Sequence, residues 1–221
     1  MTEPAHLSGH SSSSPSSSGE EASHDLPRTA VAPGTAAARD GKIKMATISL
    51  AGCWGCNLSL LDLDERILPL LDKVTITRSS FTDIKRITER CTVGFVEGGV
   101  ANEENIETLE HFRENCDLLI EVGACAIWGG IPSLRNAVGL TACLREAYVD
   151  SPTRPAGSLP VIPRHEDIPV LTTQVRPCHE VVHMDYFITG CPPDGNQIFS
   201  VLDDLANGRP VNLPTAITRY D

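Results

Sequence analysis

The chain has 221 residues, 41% of them hydrophobic and 5% aromatic, so it is long enough to bury the core of one domain. Its 18 Lys and Arg face 29 Asp and Glu, a net charge of −11, which argues against nucleic acid as a partner because phosphate binding needs clustered cations. The apolar runs are far shorter than the roughly 20 residues that cross a bilayer. We therefore expect a soluble globular protein with no membrane contact.

The first 41 residues differ in composition from the rest of the chain. Positions 8 to 18 are mostly serine, and no apolar periodicity appears before Ile43. This pattern predicts a disordered tail over residues 1–41, followed by a single domain over residues 42–221. The tail has neither the apolar stretch and cleavage site of a secretory signal nor twin arginines, so we expect a cytoplasmic protein.

Strand-like and helix-like segments alternate from Ile43 onward. In chain order we predict a strand at 43–50, a helix at 58–71, a strand at 74–79, a helix at 83–90 and a strand at 91–97. Asn102 is expected to cap the next helix, which buries Ile106, Leu109 and Phe112. A strand at 116–122, a helix at 134–148, a proline-rich irregular stretch at 151–177, a strand at 185–189 and a helix at 196–205 complete the prediction.

Strands separated by helices of this length imply βαβ crossovers and a mostly parallel, doubly wound α/β sheet with helices on both faces. In such sheets, ligands bind in the loops beyond the carboxyl ends of the strands. The residues in those loops are therefore the candidates for function.

Eight cysteines are spread along the chain, and without an export signal we expect them to be reduced. Cys91 and Cys116 open predicted strands, and Cys143 lies on an apolar helical stretch, so these three are interpreted as packing residues. Cys178 is interpreted as a loop cysteine without an assigned role. His179 and His183 are four residues apart, but two histidines make an incomplete metal site, which favours packing or interface roles.

The other four cysteines lie in loops that follow predicted strands. They are Cys53 and Cys56, Cys125, and Cys191. Because such loops open at one edge of a parallel sheet, these thiolates can converge, and neighbouring glycines allow close approach of the backbone. Four soft thiolates fit an iron–sulfur cluster or zinc, and the wide spacing of the two single cysteines favours the cluster.

Two other readings of the first loop stay open. A Cys-x-x-Cys pair between a strand and a helix is also typical of a thioredoxin-like dithiol, although Cys125 and Cys191 count against it. Sheets of this kind can bind FMN at their strand ends, but Cys53 and Cys56 occupy the corresponding loop, which disfavours FMN in this chain.

Four motifs occur in order along the chain: Cys53-x-x-Cys56 followed by Leu58-Ser59, Val96-Glu97-Gly98, Gly123-x-Cys125-Ala126 and Gly190-Cys191-Pro192-Pro193. Together they resemble the small subunit of nickel-iron hydrogenases over about residues 43–207. The resemblance implies a flavodoxin-like domain that holds one 4Fe-4S cluster, with Cys53, Cys56, Cys125 and Cys191 as its ligands. Only 30 residues follow Cys191 and none is cysteine, so the chain is most similar to the short, one-cluster small subunits of cytoplasmic bidirectional, NAD-reducing hydrogenases.

The resemblance also implies partners and a role. The chain would relay electrons between a large subunit that carries the nickel-iron centre and diaphorase subunits that carry FMN and further iron–sulfur clusters. Hydrogen would be split in the large subunit and not in this chain. The alternatives are the cluster subunit of a complex I-like quinone reductase, which usually has adjacent cysteines in its first motif, and a noncatalytic redox scaffold.

Three residues near the expected ligands have two readings each. Trp54 either shields the cluster and contacts the large subunit or packs on its own domain. Glu97 is a candidate for proton transfer or partner contact, and the plainer reading is that it caps backbone groups in a glycine-rich loop. Ser59 either supports the cluster loop or caps a helix, and we favour the cap.

Overall fold

Five parallel strands form the central sheet of the structure, a computed structural model that describes residues 41–213. In chain order they are β1 (Ile43–Ser49), β2 (Val74–Arg78), β3 (Cys91–Glu97), β5 (Cys116–Val122) and β7 (Tyr186–Ile188). A separate antiparallel pair consists of β4 (Val100–Asn102) and β6 (Leu171–Arg176). The predicted disordered tail lies outside the described residues, except for Gly41.

Seven α-helices connect or follow these strands within residues 41–213. They are α1 (Gly55–Leu58), α2 (Ile67–Leu71), α3 (Glu103–Asn115), α4 (Gly123–Trp128), α5 (Arg135–Val138), α6 (Leu140–Tyr148) and α7 (Gly195–Ala206). Short 3-10 segments cover Leu61–Arg66, Ile131–Leu134 and Cys178–Glu180. As predicted, Asn102 caps α3, because its side chain accepts a hydrogen bond from the backbone N–H of Asn105 at 2.7 Å.

The strand order in the central sheet is β2-β1-β3-β5-β7, the flavodoxin-like doubly wound order. This confirms the predicted fold class. The chain reverses its direction of progress across the sheet between β1 and β3, which places the topological switch point at this pair. The loops after β1, β3, β5 and β7 therefore open at one edge of the sheet, where ligands bind in this class of fold.

Apolar side chains fill both faces of the sheet, as expected for parallel strands covered by helices. Helix α7 packs on one face and α3 on the other. The first core includes Met45, Val93, Phe95, Ile120, Ile198 and Leu202. The second includes Ala46, Val96, Leu109, Phe112, Leu119 and Ala126.

The predicted helix over 83–90 is wrong, because this segment has no regular structure. Its backbone is held by side chains instead. The guanidinium of Arg78 donates to the carbonyl of Lys85 at 3.2 Å, and the Ser79 and Thr82 side chains form a turn. Of the segment, only Ile87 is buried, so there is no apolar face to stabilise a helix by packing.

Two predicted helices are divided in the structure. The region 58–71 splits into α1, a 3-10 segment and α2, with Asp64 in a non-helical conformation at φ 51°. The region 134–148 splits into α5 and α6 at Gly139, which has a φ of 93°. A positive φ is disfavoured for residues with a Cβ, so glycine suits this break.

The stretch predicted to be irregular over 151–177 contains β6, so that prediction is partly wrong. The exposed strand is held by Asn136 of α5, whose side chain donates to the Val175 carbonyl and accepts from the Val175 N–H, both at 2.9 Å. Arg135 adds a hydrogen bond to the carbonyl of Thr172 at 2.6 Å. Among residues 41–213, no helix combines the length and apolar character needed to span a bilayer.

Candidate iron–sulfur site

The four expected ligand cysteines lie at the carboxyl edge of the central sheet. Cys53 and Cys56 follow β1, with Cys56 on α1, while Cys125 lies on α4 after β5 and Cys191 follows β7. All four are free thiols; Cys53 and Cys191 are exposed, and Cys56 and Cys125 are half-buried. The three loops thus present their thiols where the strand order predicts a ligand site.

The charges of these thiols affect one another's pKa. Burial raises the pKa of Cys56, and the charges of Glu97, Cys125 and Cys53 raise it further. Burial also raises the pKa of Cys125, with smaller contributions from Cys191 and Cys53, whereas the backbone N–H of Ile131 lowers it. Every expected ligand therefore interacts with at least one other, and a cationic centre between them would favour the thiolate forms.

Glycines make room for the sulfur atoms. A Cβ added to Gly123 would lie 2.3 Å from Cys56 Sγ, and one added to Gly130 would lie 2.7 Å from Cys125 Sγ. Both glycines also have positive φ angles, 83° and 46°, which L-residues with side chains rarely adopt. The backbone can approach the two thiols closely because these positions are glycine. A compact inorganic group held by sulfur needs such space around its ligands.

Backbone hydrogen bonds tie the ligand loops to one another. The N–H of Ala124 donates to the carbonyl of Gly190 at 2.9 Å, which joins the loops that carry Cys125 and Cys191. Ala51 and Gly99 exchange two hydrogen bonds, of 3.0 and 2.8 Å, which fix the loop after β1 to the segment after β3. The spacing of the loops is therefore set by the backbone and does not depend on the thiols themselves.

Glu97 closes β3 beside this site and is only 4% exposed. Its Oε2 accepts a hydrogen bond from the backbone N–H of Asn57 at 2.9 Å, so it caps the α1 backbone, in line with the plainer of its two readings. The carboxylate also lies against the thiol of Cys56, whose pKa it raises. Its other oxygen, Oε1, is buried and has no hydrogen-bond partner among the described residues.

Trp54 and Ser59 have local structural contacts. The ring of Trp54 packs on Phe81 with a centroid distance of 4.8 Å, so it packs on its own domain. Ser59 is 1% exposed and follows α1, where its hydroxyl donates to the carbonyl of Gly55 at 3.1 Å. It is the C-cap residue of α1, so the preferred reading as a helix cap is confirmed at the carboxyl end of the helix, where its hydroxyl also supports the cysteine loop.

The other four cysteines are not among the expected ligands, and each has its own surroundings. Cys91 and Cys116 are fully buried and face each other in register on β3 and β5, as their packing assignment predicts. Cys143 is half-buried on α6, which has no buried residue, so its assignment to core packing is wrong. Cys178 is fully buried, burial raises its pKa, and its thiol donates to the carbonyl of Gly98 at 3.3 Å.

One polar pair near the site was not expected from the sequence. Glu121 is fully buried on β5, and both its oxygens lie 3.2 Å from Nδ1 of His179. His179 lies on a 3-10 turn, while His183 lies beyond it and faces Asp185 at 3.7 Å, so the two histidines do not share a helix. Within residues 41–213, no three His, Cys, Asp or Glu side chains are grouped to hold a single metal ion.

Residues 53–205 match the family described as "NADH ubiquinone oxidoreductase, 20 Kd subunit". The match spans more than half of the chain and includes all four loop cysteines. The chain belongs to this family.

Two curated relatives are hydrogenase subunits. The NAD-reducing hydrogenase HoxS subunit delta of Cupriavidus necator is 68% identical over 91% of this chain and 97% of its own length. A subunit of the F420-non-reducing hydrogenase of Methanothermobacter marburgensis is 38% identical over 79% of this chain, which spans 56% of that protein. The expected kinship with hydrogenase small subunits is thereby confirmed.

A solved structure agrees with these relatives. A chain of the NAD+-reducing [NiFe]-hydrogenase in the H2-reduced state superimposes with a TM-score of 0.77 at 41% identity, covering 81% of this chain and 99% of that one. The small subunits of nickel-iron hydrogenases carry iron–sulfur clusters, and the thiols at the sheet edge are the residues in this chain that suit one.

Proposed function

We propose that this chain is the electron-transfer small subunit of a nickel-iron hydrogenase that couples reversible hydrogen oxidation to NAD reduction. The proposal is supported by the HoxS delta subunit, which is 68% identical and matches over 97% of its length. It is also supported by the likeness to a chain of an NAD+-reducing [NiFe]-hydrogenase. We place the assembly in the cytoplasm.

The single observation that carries the proposal is the placement of four free thiols on three loops that all follow strands at the carboxyl edge of the sheet. Cys53, Cys56, Cys125 and Cys191 would ligate one 4Fe-4S cluster. When bound, such a cluster accepts and releases single electrons at a potential set by its surroundings. The wide separation of the two single cysteines favours a cluster over a zinc ribbon.

The chain's own residues would hold and shield that group. The thiolates supply the ligands, and the backbone N–H of Ile131 lowers the pKa of Cys125, which favours its thiolate form. Glu97 holds the α1 backbone through Asn57, which fixes the helix that carries Cys56. Gly123 and Gly130 keep the approach to the sulfur atoms free of side chains.

The role requires partners. We assign hydrogen cleavage to a large subunit with a nickel-iron centre, and NAD reduction to diaphorase subunits with FMN and further iron–sulfur clusters. This chain would pass electrons singly between them. Purified subunit that consumed hydrogen without a large subunit would contradict this division of labour.

Metal analysis of the anaerobically purified complex tests the cluster. We expect about four iron and four acid-labile sulfide atoms at this site. Cys125→Ala should lose them together with hydrogen-dependent NAD reduction. Cys143→Ala and Cys178→Ala are matched controls, since both remove a free thiol that we do not assign as a ligand, and both should keep the iron. Zinc in place of iron would overturn the proposal.

The family description also names a ubiquinone oxidoreductase, so the acceptor needs its own test. We expect the purified complex to reduce NAD with hydrogen and to show no quinone-dependent turnover. Quinone reduction without hydrogen-dependent NAD reduction would instead support the complex I-like reading, and an intact cluster without either activity would support a redox scaffold.

A further inference from the structure

A cavity lies behind Cys56, between the sheet and α1. Its volume is about 20 Å³, which is room for about one water molecule, and Thr47, Asn57 and Glu97 line it together with Cys56. The rest of its wall is apolar and includes Phe95. The cavity is thus a small, mostly apolar space with a few polar groups on the side of the proposed cluster.

Three polar atoms in this wall are buried and have no hydrogen-bond partner among the described residues. They are Thr47 Oγ1, Asn57 Nδ2 and Glu97 Oε1. The residues that carry them are 2%, 7% and 4% exposed. Buried polar groups in native proteins are nearly always paired, because an unpaired one destabilises the fold. Three of them in one cavity therefore indicate a shared partner.

The chemistry of these atoms selects that partner. Glu97 Oε1 accepts hydrogen bonds, Asn57 Nδ2 donates them, and the Thr47 hydroxyl does either. A cation could not accept from the amide, and an anion would be repelled by the carboxylate. A water molecule donates to Glu97, accepts from Asn57 and satisfies Thr47 in either direction, and buried waters typically make about three hydrogen bonds.

Cys56 cannot take the place of this water. Its protonated thiol can hydrogen-bond the carboxylate of Glu97, but as an iron ligand it would be a thiolate, which has no proton to donate. Oε2 of Glu97 already accepts from the backbone N–H of Asn57 at 2.9 Å, so Oε1 is the oxygen that still needs a donor.

We propose that the cavity holds an ordered water molecule bound by Thr47, Asn57 and Glu97, and that Thr47 positions it to hydrate the carboxylate beside Cys56. This inference rests on the proposed cluster for its effect on electron transfer. The water directs its positive end towards Glu97 and so weakens the negative potential of the carboxylate at the cluster. Hydrogen bonds and solvent around the ligands are known determinants of cluster potential.

Two variants of Thr47 separate the hydroxyl from the rest of the side chain. Thr47→Val replaces the hydroxyl with a methyl group of similar size, and Thr47→Ser keeps the hydroxyl but loses the methyl group. In the assembled complex, EPR-monitored titration should show the cluster of Thr47→Val shifted to a more negative reduction potential. Thr47→Ser should titrate like the wild type, because it still holds the water.

Equal potentials for the wild type and both variants would overturn the role of Thr47. Equal shifts in the two variants would also overturn it, because the cause would then be the lost packing of the side chain. A crystal structure of the complex should show solvent density within hydrogen-bond distance of Glu97 Oε1, and a dry cavity would overturn the site itself. Absence of iron from the wild-type complex would contradict the proposed function, which distinguishes that failure from these.

Discussion

The fully buried carboxylate of Glu121 lies 3.2 Å from the imidazole of His179, which is partly open to solvent. Glu121 occupies β5 one strand away from Glu97, on the opposite face of the sheet. Burial raises the pKa of Glu121, and His179 opposes this rise by hydrogen bonding and charge. The contact with His179 therefore offsets part of the free energy that burial costs the charged form of Glu121.

This pair predicts a pH dependence of local stability. A carboxyl group with a raised folded-state pKa stabilises the fold below its unfolded pKa, near 4.5, and that contribution is lost as the pH rises through the folded value. Wild-type protein should therefore lose stability relative to Glu121→Gln as the pH rises from about 4.5 towards neutrality, with a slope of at most about 1.4 kcal/mol per pH unit.

Amide exchange of the β5 peptides in the assembled complex, followed by mass spectrometry, measures this difference once the intrinsic pH dependence of exchange is divided out. Cys178 also faces Glu121, but its pKa is raised by burial, so it stays protonated over this range. Glu180→Gln is the control, because it removes an exposed carboxylate from the same 3-10 turn as His179. Parallel pH profiles for Glu121→Gln and the wild type would contradict the prediction.

The sequence predicted the parts of the fold whose patterns are local. Strands β3 and β5 begin and end where predicted, because each is rich in apolar residues and is bounded by polar or glycine residues. Helix α3 was predicted from its cap at Asn102 and from the spacing of Leu109 and Phe112.

Strand β6 was missed because only Val175 among its residues is buried, so it has no apolar alternation. The contacts that hold it come from Asn136, which is 39 positions away in the chain. Hydrogen bonds between residues so far apart leave no pattern in the local sequence of the strand.

The sequence predicted the four candidate ligands but not the side chains that surround them. Cysteines after strands, next to glycines, indicate a common ligand whatever the details of the loops. Thr47 gave no signal, because a β-branched residue in a strand is ordinary, and its unpaired hydroxyl emerges only once Asn57 and Glu97 are packed around it. Glu121 was missed for the same reason, since the turn that carries His179 is distant in sequence.

Gly123 allows a test of the space reserved for Cys56. Gly123→Ala forces a side chain into a backbone with φ 83° and places its Cβ 2.3 Å from Cys56 Sγ. We expect the variant to lose about four iron atoms per complex, because the Cys56 ligand must move. Iron and labile sulfide analysis after anaerobic purification measures the loss.

Gly139→Ala is the matched control for that experiment. It imposes a similar backbone strain at φ 93°, roughly 1–2 kcal/mol, but its Cβ would have no atom within 4 Å. It should lower stability and keep its iron. If the two alanine variants lost iron equally, backbone strain would explain both, and the proposed contact with Cys56 would be wrong.

Asp185 allows a test of how β7 is fixed to β5. Its Oδ2 accepts hydrogen bonds from the guanidinium of Arg113 and from the backbone N–H of Leu119, both at 2.8 Å. Leu119 is fully buried, so Asp185→Ala leaves its N–H without a partner and removes a partly buried ion pair. We expect a loss of about 2–3 kcal/mol, seen as a thermal unfolding midpoint lower by roughly 4–10 °C.

Asp150→Ala provides the comparison, because it breaks an ion pair with Arg145 in which both side chains are more than half exposed. Exposed pairs contribute about 0–1 kcal/mol, so its unfolding midpoint should change by no more than about 3 °C. The contrast depends on burial of the hydrogen-bonded backbone group and not on the loss of a charge. Equal shifts for the two variants would therefore show that Leu119 finds another partner and that Asp185 does not anchor β7.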